Sequence, residues 1–180
     1  MIQLSTMMVV LALFFAVSGY LRGSTKELIS TAGIILGLFA LFQFDTLIRG
    51  TILRSVSRDQ VFIVQALIFS AVVFFAYQTR ALIGEDRRGG RDGRDRLQDG
   101  VVGAIIGFVN GYLIWGSIWY FMDINEYPLA PYIIAPAPGS PSDQARSLLP
   151  LVILGGGPNG TGDLLAVAVI VLFLLVLIRI

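Results

Sequence analysis

The chain has 180 residues, of which 56% are hydrophobic and only 14% charged, with a formal net charge of +1. A water-soluble globule of this length cannot bury so much apolar surface, so the chain must contact lipid. It contains no cysteine and no histidine, which excludes disulfides, thiolate metal sites and a nucleophile activated by histidine. We therefore predict a non-enzymatic protein without a cofactor or metal, and the balanced charge indicates no nucleic-acid partner.

Charge-free stretches predict the membrane spans, because a helix needs about 20 mostly apolar residues to cross the hydrocarbon core. Four such stretches are predicted to span, and a fifth is short but apolar on every face. We therefore predict an all-α polytopic membrane protein with about five transmembrane helices, and the sequence leaves open whether the last one crosses completely. The stretches are residues 1–21, 28–44, 60–79, 100–122 and 164–178.

Three regions follow from this pattern. Residues 1–122 form a four-helix membrane domain, and residues 164–180 form a C-terminal transmembrane helix. Between them, residues 123–163 form a connection rich in proline and glycine, which we place outside the cytoplasm. Its apolar stretch 148–154 is too short to span, so we expect an interfacial or re-entrant segment. Ser140 and Pro141 precede it and are typical of a helix start.

The distribution of Lys and Arg predicts the orientation, because cytoplasmic loops carry the excess of positive charge. Nine of these residues fall on one side and four on the other, which places the N-terminus outside and the C-terminus in the cytoplasm of a bacterial inner membrane. The loop 85–99 on the cytoplasmic side carries both signs of charge, and is either a solvated loop or a docking site for a partner. The nine are Arg22, Lys26, Arg80, Arg87, Arg88, Arg91, Arg94, Arg96 and Arg179; the four are Arg49, Arg54, Arg58 and Arg146.

Small residues at four-residue spacing predict where helices touch inside the lipid, because they let two backbones approach closely. The second stretch carries Gly33 and Gly37, and the fourth carries Gly103, Gly107 and Gly111. We predict that both faces are helix-packing surfaces, most simply with each other. The sequence does not distinguish contact within one chain from contact between chains.

Polar residues within the apolar stretches are few, namely Gln43, Gln65 and Asn110. Amides at this depth either bond one helix to another or line a pore, and we favour the first. Every charge lies at the end of a stretch, which argues against an ion path through the membrane.

A turn rich in glycine and charge follows the first stretch. We expect Arg22 and Glu27 to lie at the wet membrane surface and to pair with each other or with the loop 85–99. The turn has the pattern G-x-x-R-G-x-x-x-E, and its residues of interest are Gly19, Arg22, Gly23, Lys26 and Glu27.

The fourth stretch opens with the pattern D-x-x-x-G-x-x-x-G, formed by Asp99, Gly103 and Gly107, and we predict that Asp99 caps this helix. Together with the turn and the short sequence Ser147-Leu148-Leu149-Pro150, this pattern resembles the bacterial colicin V production proteins, the CvpA family. The resemblance covers about residues 5 to 155. It implies an inner-membrane protein linked to colicin export and envelope homeostasis, with no established catalytic residues.

The sequence thus predicts a helper or scaffold in secretion or envelope maintenance. Its partners would be the lipid bilayer and either other membrane proteins or a second copy of the chain. The alternative is an accessory structural subunit of a larger respiratory or photosynthetic membrane complex, which would contact lipid, quinone or pigment tails.

Overall fold

The computed structural model describes residues 3–45, 50, 54–78 and 93–179, without the side chains of residues 93, 94, 158 and 179. Within these ranges the chain is helical and contains no strand, which confirms the all-α prediction. The charged loop falls mostly outside the described residues. The helices are α1 (Leu4–Arg22), α2 (Ser24–Gln43), α3 (Arg58–Tyr77), α4 (Gly93–Ile124), α5 (Pro141–Ala145), α6 (Pro150–Gly155) and α7 (Asp163–Arg179).

Four of the described helices, α1 to α4, are long and apolar enough to cross a membrane. The fifth predicted span, within α7, is apolar but shorter. Large apolar side chains remain exposed along these helices, including Phe14, Leu67, Phe75 and Phe173. Such a surface is typical of a protein whose solvent is lipid.

Helix α4 is the centre of the bundle. Helix α1 packs along it over most of its length, and α2 packs against α4, α3 and α7. The buried core lies between α2 and α4 and includes Ile34, Leu38 and Leu113. We call the end of the bundle where α1 joins α2 the turn end. At the opposite end α1 and α3 begin and α4 finishes, and we call this the far end.

Helices α1 and α2 are joined by a single residue, Gly23. Its φ of 86° lies in the left-handed region that glycine enters without strain. Its backbone N–H donates to the carbonyl of Gly19 at 2.9 Å and so closes α1. This sharp corner places the first turn of α2 directly against α1 and α4, instead of in a loop at the membrane surface.

The glycine stripe of α4 faces α1. A Cβ added at Gly107 would lie 2.4 Å from the carbonyl oxygen of Phe15, and one at Gly111 would lie 2.7 Å from the Cα of Ala12. The expectation that the two glycine faces pack on each other is therefore wrong. The glycines of α2, at 33 and 37, face side chains of α3 instead.

The connection after α4 folds back onto the bundle. Helix α5 begins as predicted, since the Ser140 side chain accepts from the backbone N–H of Asp143 at 3.2 Å. The predicted interfacial segment contains α6, whose Pro150 packs against Gly116 of α4. Leu149 and Leu151 are buried in the core. This segment is therefore anchored on α4 by its own side chains.

Candidate functional site: a buried polar cluster at the turn end

Glu27 lies in the first turn of α2, and its side chain is fully buried at 0% exposure. The expectation that this charge lies at a wet surface is wrong, because the corner at Gly23 carries the start of α2 into the bundle. One carboxylate oxygen, Oε1, pairs with Nη1 of Arg22. The other, Oε2, accepts from Asn110 Nδ2 at 2.8 Å and from the Tyr77 hydroxyl at 3.2 Å.

Arg22 closes the cluster on the side of α1 and keeps 21% of its side chain exposed. Besides pairing with Glu27, its guanidinium lies 3.4 Å from the Ser30 hydroxyl and donates to the Tyr77 carbonyl at 3.3 Å. Its Cζ lies 4.3 Å from the centre of the Tyr77 ring, which adds a cation–π contact. The last residue of α1 thereby holds the end of α3.

Asn110 brings α4 into the cluster and is fully buried. Its Nδ2 donates to both Oε2 and the backbone carbonyl of Glu27, the latter at 3.2 Å. The Thr31 hydroxyl lies 2.7 Å from Asn110 Oδ1 and 2.8 Å from the Glu27 carbonyl oxygen, so its one proton can serve either acceptor. The buried amide thus bonds one helix to another, which is the role favoured from the sequence.

Asp99 supports the start of α2. Helix α4 begins at Gly93, so Asp99 lies inside the helix and does not cap it, contrary to the sequence prediction. Its carboxylate accepts instead from the backbone N–H of Ser24 at 3.1 Å and from the Ser24 hydroxyl at 2.5 Å. Asp99 therefore satisfies a free N–H at the start of α2 and adds negative charge where the helix dipole favours it.

The predicted turn and the predicted glycine stripe meet at this cluster. A Cβ at Gly103 would lie 2.4 Å from the carbonyl oxygen of Gly19 and 2.9 Å from the carbonyl carbon of Gly23, so these backbones touch. Lys26 is half-buried, and its backbone carbonyl accepts from the Ser30 hydroxyl at 3.1 Å. The five turn residues and the first two stripe glycines thus form one structural unit.

The cluster consists of a buried charged side chain that bonds its own helix to its neighbours. A buried carboxylate is tolerated only when it is paired and hydrogen-bonded, and here both oxygens of Glu27 have partners. These partners come from α1, α3 and α4, so one side chain links all four long helices. Among the described residues no group of three His, Cys, Asp or Glu side chains is placed to hold a metal ion.

Comparison with known proteins agrees with this assembly of motifs. A family model described as "Colicin V production protein" matches residues 4–135, well over half of the chain. The chain belongs to the colicin V production protein family. No curated protein and no solved structure matches it. The match contains all four long helices and ends before Ser147–Pro150, so the resemblance seen at that short sequence lies beyond the matched part.

This member of the family carries a second polar group at the far end. Gln65 of α3 donates to Asp45 at 2.9 Å and accepts from Asn125 at 3.0 Å. Trp119 Nε1 donates to the Tyr127 hydroxyl at 3.0 Å, and burial raises the pKa of Tyr127 to about 12. Gln43, the third predicted amide, is exposed at the end of α2. These bonds join α3 and α4 at the far end of the bundle, but they involve no buried ion pair.

Sequence reasoning missed three members of the turn-end cluster. They are Ser30, Thr31 and Tyr77, to which the sequence alone gives no polar role. A signal was present for two of them. Glu27, Ser30 and Thr31 are three and four residues apart, so they share one face of α2 with the buried Ile34 and Leu38. A polar group that continues a buried apolar stripe indicates a buried network.

Proposed function

We propose that this protein is a non-enzymatic helper or scaffold of the bacterial inner membrane that acts in secretion or envelope maintenance. Its family membership and its four candidate spans support a membrane role. The observation that carries the scaffold role is the Glu27 cluster, in which both carboxylate oxygens of Glu27 are bonded to other helices. Because these polar groups hold four helices in a fixed arrangement, we favour a rigid scaffold that binds partners over a catalyst.

The proposed orientation places the turn end in the cytoplasm and the far end outside. It is supported by the excess of Lys and Arg in the loops of the turn end. Partner proteins would then contact the broad apolar faces of α1 and α7 within the membrane, or the connection between α4 and α7 outside. Tyr132 in this connection is 93% exposed and is a candidate contact for such a partner.

The experiment that tests this function is removal of the gene, followed by restoration with a tagged copy. Without the protein, cells should admit more of a dye that an intact envelope excludes, or should release less of a secreted reporter protein. The tagged wild type and Val109→Leu, a change on an exposed face of α4, should restore both.

The same tagged protein, purified in mild detergent, distinguishes the proposal from its alternative. Recovery of secretion or envelope proteins would support it. Unchanged permeability and secretion, together with stoichiometric recovery of the core subunits of one large complex, would contradict it and establish the accessory-subunit function.

A further inference from the structure

A polar cavity of about 160 Å³ lies at the far end of the bundle. It is bounded by the end of α2, the end of α4 and the segment that joins α6 to α7. Polar atoms form most of its wall, and the polar side chains on that wall are Gln43, Asp45, Tyr120 and Thr161. The described lining residues are Leu41, Phe42, Gln43, Asp45, Tyr120, Phe121, Ile124, Leu151, Gly160 and Thr161.

Two buried amides hold the carboxylate of Asp45 in place. Gln65 of α3 is 2% exposed and donates from Nε2 to Oδ1 of Asp45 at 2.9 Å. Asn125, also 2% exposed, donates to Gln65 Oε1 at 3.0 Å and to the Phe121 carbonyl at 2.7 Å, which ties the pair to the end of α4. A side chain supported by such a second layer of hydrogen bonds keeps one orientation, as the groups that bind a ligand do. The cavity therefore has a fixed negative charge on its wall.

The backbone around the cavity also favours a positive occupant. Helices α2 and α4 both end at its wall, and the C-terminal end of a helix carries partial negative charge. Neither helix has a basic residue in its last turn, and none of the described lining residues is basic. Helix α7 begins beside the cavity with the opposite polarity, but Asp163 in its first turn offsets this. Together with Asp45, the helix ends therefore make the cavity selective for a cation.

The depth of the cavity indicates the source of this cation. Helix α2 has 20 residues, so at a rise of about 1.5 Å per residue it is about as long as the hydrocarbon core is thick. It begins at the turn end and finishes at Gln43, on the wall of the cavity. The cavity therefore lies where the hydrocarbon core ends and the lipid headgroups begin. Leu164 and Val167 of α7, which follow Thr161 in the chain, are exposed and apolar, so an acyl chain can lie against them.

We propose that this cavity binds the ammonium group of an aminophospholipid such as phosphatidylethanolamine. The three N–H donors of a primary ammonium match the carboxylate, amide and hydroxyl oxygens of the wall. A calcium ion takes about six to eight oxygen ligands, commonly from several carboxylates, and among the described residues no group of three acidic side chains is placed to hold a metal. A quaternary ammonium has no N–H to donate, so it would leave the polar wall without hydrogen bonds. The inference concerns lipid binding and goes beyond the proposed function.

Native mass spectrometry of the full chain, released from detergent, tests the proposal. The protein is first incubated with equal amounts of phosphatidylethanolamine, phosphatidylglycerol and phosphatidylcholine that carry the same acyl chains. The wild type should retain phosphatidylethanolamine about tenfold better than the other two, the gain expected for hydrogen bonds to a charged group. N-methyl and N,N-dimethyl derivatives of this lipid should be retained progressively less.

Three variants locate the preference in the cavity. Asp45→Asn keeps an acceptor for Gln65 but removes the charge, so most of the preference should be lost. Thr161→Val removes one hydroxyl from an exposed loop and should reduce the preference about two- to threefold, without a risk to folding. Asp59→Asn is the matched control, because Asp59 is an exposed carboxylate at the same end of the bundle but outside the cavity. It should behave as the wild type does.

Several results would overturn the proposal. Equal retention of the three lipids by the wild type would show that the headgroup is not recognised, and an unchanged preference in both Asp45→Asn and Thr161→Val would place recognition elsewhere. Free ethanolamine that binds as tightly as the lipid would identify a soluble amine as the ligand. Finally, retention of phosphatidylethanolamine by Arg49→Ala but not by the wild type would show that this arginine, four residues after Asp45 in the sequence, supplies the cation.

Discussion

The close contact between α1 and α4 predicts whether a substitution at Gly107 raises or lowers the free energy of unfolding. A Cβ there would lie 2.4 Å from the Phe15 carbonyl oxygen and 3.0 Å from the Cα of Gly19, and both are backbone atoms that cannot rotate away. Ordinary contact begins at 3.4 Å, so α1 must move by about 1 Å even for alanine. Leucine requires a larger displacement and forfeits the close packing that holds helices together in lipid.

We expect Gly107→Ala to destabilise the bundle by about 1 kcal/mol and Gly107→Leu by up to about 3 kcal/mol, the range found for overpacked cores. Both variants should still insert, because neither adds a polar group. The measurement is reversible unfolding in mixed micelles, followed by circular dichroism. Val109→Leu is the matched control, since Val109 is exposed on another face of α4. On a lipid-facing helix surface alanine should instead stabilise by about 0.5–1 kcal/mol relative to glycine. A stabilised Gly107→Ala would therefore refute the packing of α1 on this stripe.

Three further predictions follow from the fold and its orientation. A topology reporter fused after Ile180 should be active only in the cytoplasm and one inserted at Pro138 only outside; the reverse pattern, or activity of both on one side, would contradict the proposed orientation. Asp99→Ala should cost about 0.5–2 kcal/mol of unfolding free energy, because the start of α2 loses its cap. Asp95→Ala, on the exposed start of α4, is the control and should cost little. Equal costs would show that capping is not the cause. The raised pKa of Tyr127 means that the folded protein prefers the neutral phenol. Stability that is present below pH 10 should therefore be lost between about pH 10 and 12. Tyr127→Phe should lose less stability over that range, and equal losses would contradict this.

The helices and their contact faces could be predicted from the sequence, but the pairing of those faces could not. A stripe of glycines indicates that another backbone approaches closely. Its spacing does not show which helix that backbone belongs to. Gly107 is paired with α1 because the single-residue corner at Gly23 folds α1 back along α4. Gly37 is left to face α3. This choice depends on the geometry of the connection, which four-residue spacing does not encode.

The burial of Glu27 could not be predicted from the position of the charge along the chain. A charge that bounds an apolar stretch normally lies at the membrane surface, and this expectation holds for the exposed Arg58. Two features reverse it at Glu27. The corner at Gly23 brings α2 into the bundle at its first residue. Helix α4 also begins at Gly93, so its chain extends past Asp99 and covers that corner.

A double-mutant cycle on Arg22 and Glu27 tests the central claim most directly, namely that a buried ion pair holds the four helices together. Unfolding free energies of the wild type, Arg22→Ala, Glu27→Ala and the double variant give the coupling energy. The exposed pair of Arg58 with Glu126 serves as the control, with side chains 61% and 72% exposed. We predict a coupling of about 1–3 kcal/mol for Arg22 with Glu27 and below about 1 kcal/mol for the control. Arg22→Ala alone should cost about 3–5 kcal/mol, because it leaves a buried carboxylate without its counterion. A coupling for Arg22 with Glu27 no larger than that of the control would contradict the account.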